Sequence, residues 1–161
     1  KEFNTIRRTN DERLKQILIY LRKMIDDNKN VNDAIDYLIE NINLRCITKE
    51  YVKDLYYIYD YIITSRKEYV EYWTKKFTGK FDKEKYFVTK NTFASNNGEI
   101  IISNEPVKNS IIRHAFTIHS IQGETCNTKL FIDLRNIFGG IQMLYTAISR
   151  ATTCDNIYLI V

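Results

Sequence analysis

The sequence predicts an α/β domain with an open, mainly parallel β-sheet flanked by helices and a short inserted β-hairpin. Short apolar runs typical of buried strands alternate along the chain with segments whose apolar residues recur at helical spacing. The 161 residues are the length of one domain, and 44% of them are hydrophobic, which is enough for a core. One Asn-Gly pair between two β-branched runs predicts the hairpin.

Composition narrows the classes of protein to consider. The net charge of +4 permits nucleic-acid binding without requiring it. Cys46, Cys126 and Cys154 are odd in number and far apart, so we expect neither a disulfide framework nor a zinc or other metal site. We therefore expect a reduced, intracellular setting. No stretch reaches the roughly eighteen apolar residues of a membrane span, so no membrane partner is expected.

The first third of the chain predicts three helices. Thr9 and Glu12 match a capping box that opens a helix, Asn32 or Asp33 is expected to cap a second, and Thr48 to open a third. Their predicted inward residues are Leu14, Ile17, Leu18, Leu21 and Ile25; Ala34, Ile35, Leu38 and Ile39; and Val52, Leu55, Tyr56 and Tyr59.

A buried strand is predicted at Tyr61-Ile62-Ile63, followed by Thr64-Ser65-Arg66 and an amphipathic helix. Hydroxyls between a strand end and a helix N-terminus can form a phosphate-sized anion site with backbone N–H groups. The alternative for Ser65 is a simple N-cap. Further on, residues 86–89 and 99–103 flank Asn97-Gly98 and form the predicted hairpin, an insertion spanning 86–103.

The last third carries the polar residues that we consider functional. A strand at Ala115–Ile118 runs into His119, Ser120, Gln122 and Gly123, which predicts polar side chains at its carboxyl end. Another strand is predicted at Leu130–Leu134 and a final one at Asn156–Val161. Between them, a helix has Arg150 four residues after Thr146, so we expect the guanidinium to point outward, where it suits a phosphate.

Two segments resemble helicase motifs and occur in the same order along the chain as those motifs do. Thr117 to Thr125 reads T-I-H-S-I-Q-G-E-T and resembles motif V of superfamily 1 helicases in their RecD-like branch, and Leu144 to Ala151 reads L-Y-T-A-I-S-R-A and resembles motif VI. Phe3 to Arg8 is similar to a short motif at the entry of the second motor domain. The resemblance implies that residues 1–161 are a second RecA-like motor domain with motifs IV to VI. The family also has an inserted β-barrel, which the segment 86–103 is too short to match.

The resemblance also implies residue roles. Arg150 and Arg8 would act as catalytic residues on the γ-phosphate of ATP, and Gln122, Gly123 and Thr125 would line the nucleotide side. Thr64, Ser65, Thr117 and His119 would contact nucleic acid, since hydroxyls and an imidazole can hydrogen-bond backbone phosphates. The chain has no G-x-x-x-x-G-K-[ST] loop, so ATP and Mg²⁺ would be bound mainly by a first RecA-like domain, and this piece alone would be inactive.

The implied activity is ATP-dependent movement along single-stranded DNA, in the 5′ to 3′ direction, with unwinding of duplex. RNA stays open as the strand, and replication proteins such as a primase are further expected partners, in the nucleus, the cytoplasm or a viral setting.

Two other classes stay open. The chain could be a helicase-derived module that binds nucleic acid or docks a protein without ATPase activity. His119 and Cys126 could instead belong to an enzyme with a cysteine nucleophile. Taken singly, His119 is also readable as a satisfied histidine, Arg150 as a cation that complements a helix dipole, and Arg7-Arg8 as a solvated pair.

Overall fold

A computed structural model of the chain describes residues 9–121 and 123–161. Arg8 and Gln122 lie outside the described residues, so their predicted roles stay predictions. The helices are α1 (Glu12–Asp26), α2 (Val31–Glu40), α3 (Val52–Leu55), α4 (Lys67–Phe77) and α5 (Gly140–Ile148). The strands are β1 (Arg45–Ile47), β2 (Tyr61–Thr64), β3 (Glu84–Val88), β4 (Ile100–Ser103), β5 (Ser110–Ile112), β6 (Phe116–Thr117), β7 (Leu130–Asp133) and β8 (Ile157–Ile160).

A parallel sheet organises the domain, with the strand order β1-β8-β7-β2-β6. This confirms the predicted open, mainly parallel sheet. The sequence analysis missed β1, a three-residue strand at one end of the sheet. Its residues are largely exposed, so no buried apolar run marks it.

Both faces of the sheet are covered, which explains why its strands are continuously apolar. Ile63 and Ile132 face a core built with α1, α2 and α5, whereas Ile62 and Phe131 face a second core built with α3 and α4. Alternate residues of one strand therefore enter different cores, as the period of two requires. Within the described residues, no helix has the length and apolar content needed to cross a membrane.

Two predicted helix caps are wrong. Helix α1 begins two residues later than a Thr9 cap implies, because the Asp11 carboxylate accepts the N–H groups of Arg13 and Leu14. The Thr9 hydroxyl instead donates to the carbonyl of Thr152, near the other end of the chain. Helix α2 is capped by Asn30, whose side chain accepts the N–H of Asn32. Several cap-competent residues adjoin both helices, and the sequence alone did not rank them.

The predicted third helix is shorter than expected. A 3₁₀ turn at Lys49–Tyr51 leads into the single turn of α3. Tyr56 is buried as predicted, but Tyr59 is 45% exposed, so its predicted inward position is wrong.

The predicted hairpin exists and is larger than expected. Strand β3 pairs antiparallel with β4 on one side and with β5 on the other, forming a small second sheet. Gly98 has φ +86°, the left-handed conformation that the predicted Asn-Gly turn requires. Phe87 of β3 packs against Phe116 of β6 with 5.6 Å between ring centroids, which attaches the small sheet beside β6.

Candidate nucleic-acid and nucleotide interface

The carboxyl ends of β2 and β6 bring two predicted residues together. Thr64 is in register with Thr117 on one side and with Asp133 on the other, and the backbone N–H of Ile118 donates to the Thr64 carbonyl. Beyond β6, the chain turns at residues 118–121. We call this end of the parallel sheet the carboxyl edge. It is where open α/β sheets commonly bind ligands.

Thr64 and Ser65 are buried at this edge rather than offered to a ligand. Thr64 is fully buried, and its hydroxyl accepts the N–H of Arg66. The Ser65 hydroxyl accepts the N–H of Phe138, so it ties β2 to the loop after β7. A direct contact between these side chains and nucleic acid does not fit this placement. Ser65 is not the N-cap of α4 either, since Arg66 occupies that position.

Thr117 and His119 lie on the accessible side of the carboxyl edge. The Thr117 hydroxyl accepts the Ser120 N–H, and the Ser120 hydroxyl donates to the Thr117 carbonyl, so the turn between them is fixed at both ends. His119 is exposed in this turn, and Thr117 is half-buried. A fixed turn with an exposed imidazole can present a hydrogen bond to a phosphate at a defined position.

The loop 118–125 links the carboxyl edge to the opposite, amino edge of the sheet. Tyr61, the first residue of β2, is bonded through its N–H to the Lys129 carbonyl, immediately before β7. The Thr128 hydroxyl donates to the Tyr59 carbonyl at 2.8 Å, so the chain that follows this loop lies close to the start of β2. Burial, and then the nearby Cys126 and Glu124, raise the pKa of Tyr61 to about 12. The loop therefore begins at one edge and ends at the other.

Backbone pairing joins the end of this loop to the segment that resembles motif VI. Cys126 forms a parallel bridge with Ala151, and its N–H donates to the carbonyl of Arg150 at 2.8 Å. Gly123 and Thr125 are exposed in the preceding loop, and Gly123 has φ +96°. The two segments, 25 residues apart in sequence, are thus in direct contact, and Gly123 has a conformation that side chains disfavour.

Arg150 does not point outward as the helical spacing predicts. Helix α5 ends at Ile148, and Arg150 lies in the following turn with only 6% of its surface exposed. Its guanidinium donates to the Thr146 carbonyl at 3.3 Å, to the Ser149 hydroxyl at 3.3 Å and to the Glu124 carbonyl at 3.5 Å. These bonds are long, and the last one faces the loop 118–125.

Cys126 is unsuited to nucleophilic chemistry. The residue is fully buried, and burial raises the pKa of its thiol to about 12. A cysteine nucleophile needs a lowered pKa and an accessible sulfur. The alternative of a cysteine enzyme is therefore wrong for this residue.

The sequence analysis gave no role to two arginines at the carboxyl edge. Arg66 follows β2, donates to the Asn136 carbonyl at 2.7 Å and lies over the Phe138 ring. Arg135 follows β7 and forms two bonds to the buried Asp133 carboxylate, at 2.9 and 2.7 Å. A cation two residues after each of β2 and β7 was a usable signal, because those strand ends converge on one edge.

A buried cation lies between the small sheet and the amino edge. The Lys85 ammonium donates to the Asp60 carbonyl and, at 3.3 Å, to the Tyr56 hydroxyl. Burial lowers the pKa of Lys85 to about 7, against the opposing charges of Asp60 and Cys126. The Tyr56 hydroxyl also contacts His114 Nδ1 at 3.0 Å. The junction of the two sheets is therefore polar and titratable.

No protein-family model and no curated protein sequence matches the chain. Solved structures of Pif1 helicases are similar to it. Two coordinating Pif1 helicases at forked double-stranded DNA align with a TM-score of 0.66 and 18% identity, over 96% of this chain and 48% of that one. Pif1 from Bacteroides with ADP-AlF3 and single-stranded DNA gives 0.62 and 18%, over 94% and 49%.

Pif1 from Candida albicans gives a TM-score of 0.58 and 13% identity, over 93% of this chain and 53% of that one. The chain spans about half the length of the solved structures it matches. Its fold is like that of the RecA-like domain of Pif1 helicases.

Proposed function

We propose that the chain is the second motor domain of an ATP-dependent DNA helicase and that the two edges of its sheet serve two ligands. The carboxyl edge would hold the strand, and the amino edge would act on the nucleotide. The observation that carries this proposal is the loop 118–125. It joins exposed His119 at one edge to the Arg150 turn at the other, within a fold shared with Pif1 helicases.

On the strand side, Thr117 and His119 are the contacts that the geometry favours. Both side chains can donate hydrogen bonds from a hydrogen-bonded turn, so they can bind backbone phosphates at a defined position. The buried hydroxyls of Thr64 and Ser65 would position this edge through Arg66 and Phe138 instead of touching the strand. Because such contacts go to the backbone, they would be independent of base sequence.

On the nucleotide side, the residues present fit a triphosphate held by another domain. Arg150 brings a guanidinium, and the exposed loop at Gly123 brings backbone close to it. A phosphate forms stronger, charge-assisted bonds with arginine than neutral carbonyls do, so it can draw the guanidinium from its long bonds to Thr146 and Glu124. Arg150 would then stabilise charge that develops on the γ-phosphate.

ATP would supply the energy of each step, and the loop 118–125 would transmit the change between edges. A shift of the Arg150 turn moves Cys126 directly, because their backbones are bonded. Since His119 lies at the start of the same short loop, the strand contact would respond to the state of the nucleotide. Arg8 and Gln122 would complete the nucleotide side.

Mg²⁺ would be bound mainly by the first RecA-like domain. Within the residues that the structure describes, no three His, Cys, Asp or Glu side chains are grouped as a metal site requires. We further propose the RecD-like branch, 5′ to 3′ travel on single-stranded DNA, an intracellular setting and contact with replication proteins such as a primase, all on the motif resemblance alone. RNA is the alternative strand.

The proposal is tested by strand binding of the 161-residue chain. His119→Ala should weaken binding of a labelled single-stranded oligonucleotide about fivefold, the effect of roughly one hydrogen bond to a phosphate. Tyr59→Ala, an exposed change near the start of β2, is the matched control and should have no effect. Equal affinity of the wild-type chain and His119→Ala would remove His119 from the strand surface.

The second candidate is a nucleic-acid-binding or docking module without ATPase activity. The burial of Arg150 favours it, because a buried guanidinium is less accessible to a phosphate. The complete protein that contains this chain separates the two. A motor domain should support ATP hydrolysis that single-stranded DNA stimulates, whereas a module should bind DNA with no hydrolysis.

A further inference from the structure

Two loops of the small sheet enclose a cleft that has no part in the two edges described above. The first loop, residues 89–99, joins β3 to β4, and the second, residues 104–109, joins β4 to β5. The cleft between them has a volume of about 490 Å³. It is lined by Thr92, Phe93, Ala94, Ser95, Val107, Lys108 and Asn109.

The first loop holds an aromatic ring in solvent on an ordered turn. The Ser95 N–H donates to the Thr92 hydroxyl at 2.8 Å, and the Thr92 N–H donates to the Ser95 carbonyl at 2.8 Å. Phe93 lies between these bonds and is 109% exposed, so its ring packs against nothing in the described chain. A fully exposed aromatic ring on a fixed turn has both faces available for stacking.

The direction of β3 carries this loop toward the carboxyl edge. Lys85, near the start of β3, bonds to the carbonyl of Asp60, which directly precedes β2. Phe87, two residues later, packs against Phe116, which is in register with Ile63 near the end of β2. The strand therefore runs in the same sense as β2, and its terminal loop extends past the edge where His119 is exposed.

The charges around the cleft favour an anion. Lys108 lines it and is exposed, and Lys90 is exposed in the first loop. Of the two acidic residues in these loops, Glu99 accepts the Asn96 N–H with its carboxylate, and neither it nor Glu105 lines the cleft. An aromatic ring beside a cation is the pair that stacks a nucleobase and holds its phosphate.

We propose that this cleft binds one unpaired nucleobase of the strand that crosses the carboxyl edge, with Phe93 stacked on the base and Lys108 on the adjoining phosphate. The inference rests on the proposed function, because it extends the strand surface from His119 to the small sheet. Val107 supplies an apolar wall for the base. Stacking needs only a π-face, so the site would accept any of the bases.

The test measures binding of a roughly 12-nucleotide single strand, and of the same strand with one abasic position moved along it, to the 161-residue chain. Phe93→Ala should weaken binding of the intact strand about tenfold, and Phe93→Trp should preserve it. When the abasic site is at one particular position, the wild-type chain should bind the strand about tenfold more weakly than the intact strand. The Phe93→Ala variant should bind that abasic strand as well as it binds the intact strand.

Tyr51→Ala is the matched control. Tyr51 is 61% exposed and follows β1, at the opposite end of the sheet from the small sheet, so its removal should leave binding unchanged. Since Phe93 touches nothing, its variants should keep the wild-type thermal midpoint, which is measured in parallel.

The outcomes separate this inference from the proposed function. If His119→Ala weakens binding and Phe93→Ala does not, the cleft is not part of the strand surface and the inference is overturned. If Phe93→Ala weakens binding and His119→Ala does not, the cleft is supported and the assignment of His119 fails. Two outcomes would contradict stacking at one site. One is an equal loss of affinity in Phe93→Ala and Tyr51→Ala, and the other is a further loss of affinity in Phe93→Ala at every position of the abasic site.

Discussion

The two edges of the parallel sheet differ in how accessible their candidate functional side chains are. At the carboxyl edge, exposed His119 stands on a turn fixed by Thr117 and Ser120. At the amino edge, Arg150 is buried and held by bonds of 3.3 to 3.5 Å. The first edge is ready to bind, and the second requires a partner that draws its cation out. This difference suits a constant hold on a strand and a nucleotide-dependent action on a phosphate.

The amino edge also has a more basic surface that the proposal leaves out. Lys53, Lys76 and Lys80 line a cleft of about 480 Å³ with Tyr56, Phe77 and Phe81. By charge alone this cleft would be the first choice for nucleic acid. The topology favours the carboxyl edge instead, because β2, β6 and β7 end there together.

The largest expected effect is on catalysis. Arg150→Ala in the complete protein should lower DNA-stimulated ATP hydrolysis by about 10³ or more, because an arginine that stabilises the transferring phosphoryl group contributes that much. Oligonucleotide affinity should stay within about twofold of wild type, since Arg150 is not at the carboxyl edge. Arg150→Lys keeps the charge but loses the planar fork, so most of the loss should remain.

If Arg150→Ala lowers strand affinity as much as it lowers ATP hydrolysis, the two edges do not serve separate ligands. Arg13→Ala is the control, because its guanidinium bonds to the carbonyl of Ile42 in the loop after α2. It removes one cation near the amino ends of β1 and β8 and leaves Arg150 in place.

A smaller effect is expected on the pH dependence of stability. The pKa of Lys85 is lowered from 10.5 to about 7 by burial, so between these values the unfolded chain binds a proton that the folded chain has lost. Stability should therefore rise with pH, by on the order of 1 to 2 kcal/mol between about pH 7 and 8.5. Below pH 7 the penalty of the buried charge is fully present.

Lys85→Met should remove this rise, because it keeps an apolar stem and has no titrating group. The measurement is the free energy of unfolding in urea for wild type and variant at several pH values. Comparing the two cancels the titration of neighbouring Tyr56, Asp60, Glu84, His114 and Cys126 to first order. Parallel pH curves for the two proteins would show that Lys85 does not control the junction.

The smallest effect is expected at the lysine cleft of the amino edge. Lys80→Ala should leave both oligonucleotide affinity and its dependence on salt concentration unchanged within about twofold. A phosphate contact by this lysine would instead lower the slope of log affinity against log salt by about one. Such a change would assign strand binding to the lysine cleft of the amino edge.

Much of the fold followed from the sequence because burial on both faces leaves an unmistakable pattern. Ile62, Ile63, Phe131 and Ile132 are apolar in succession since neighbouring residues enter different cores. Strand β1 left no such pattern because it is exposed and three residues long. The caps at Asp11 and Asn30 were missed because each competes with other residues of equal capping ability.

The candidate site was only partly predictable. The polar carboxyl end at His119 followed from a strand that runs into polar residues, but the turn at residues 118–121 was not predicted. The burial of Thr64 and the turn at Arg150 depend on contacts distant in sequence, with Thr117 and Glu124 respectively. Helical spacing predicted that Arg150 lies on an outward helix face. Because α5 ends two residues earlier, at Ile148, Arg150 lies in a turn and its side chain is buried.

The most direct test of the division between the edges is an amide chemical-shift map of the 161-residue chain titrated with a single-stranded oligonucleotide. The proposal predicts shifts at Thr117, Ile118, His119 and Ser120 and in the loop at Phe93, with little change at Tyr57, Lys80 and Phe81. Shifts concentrated at the lysine cleft, with His119 unmoved, would contradict it.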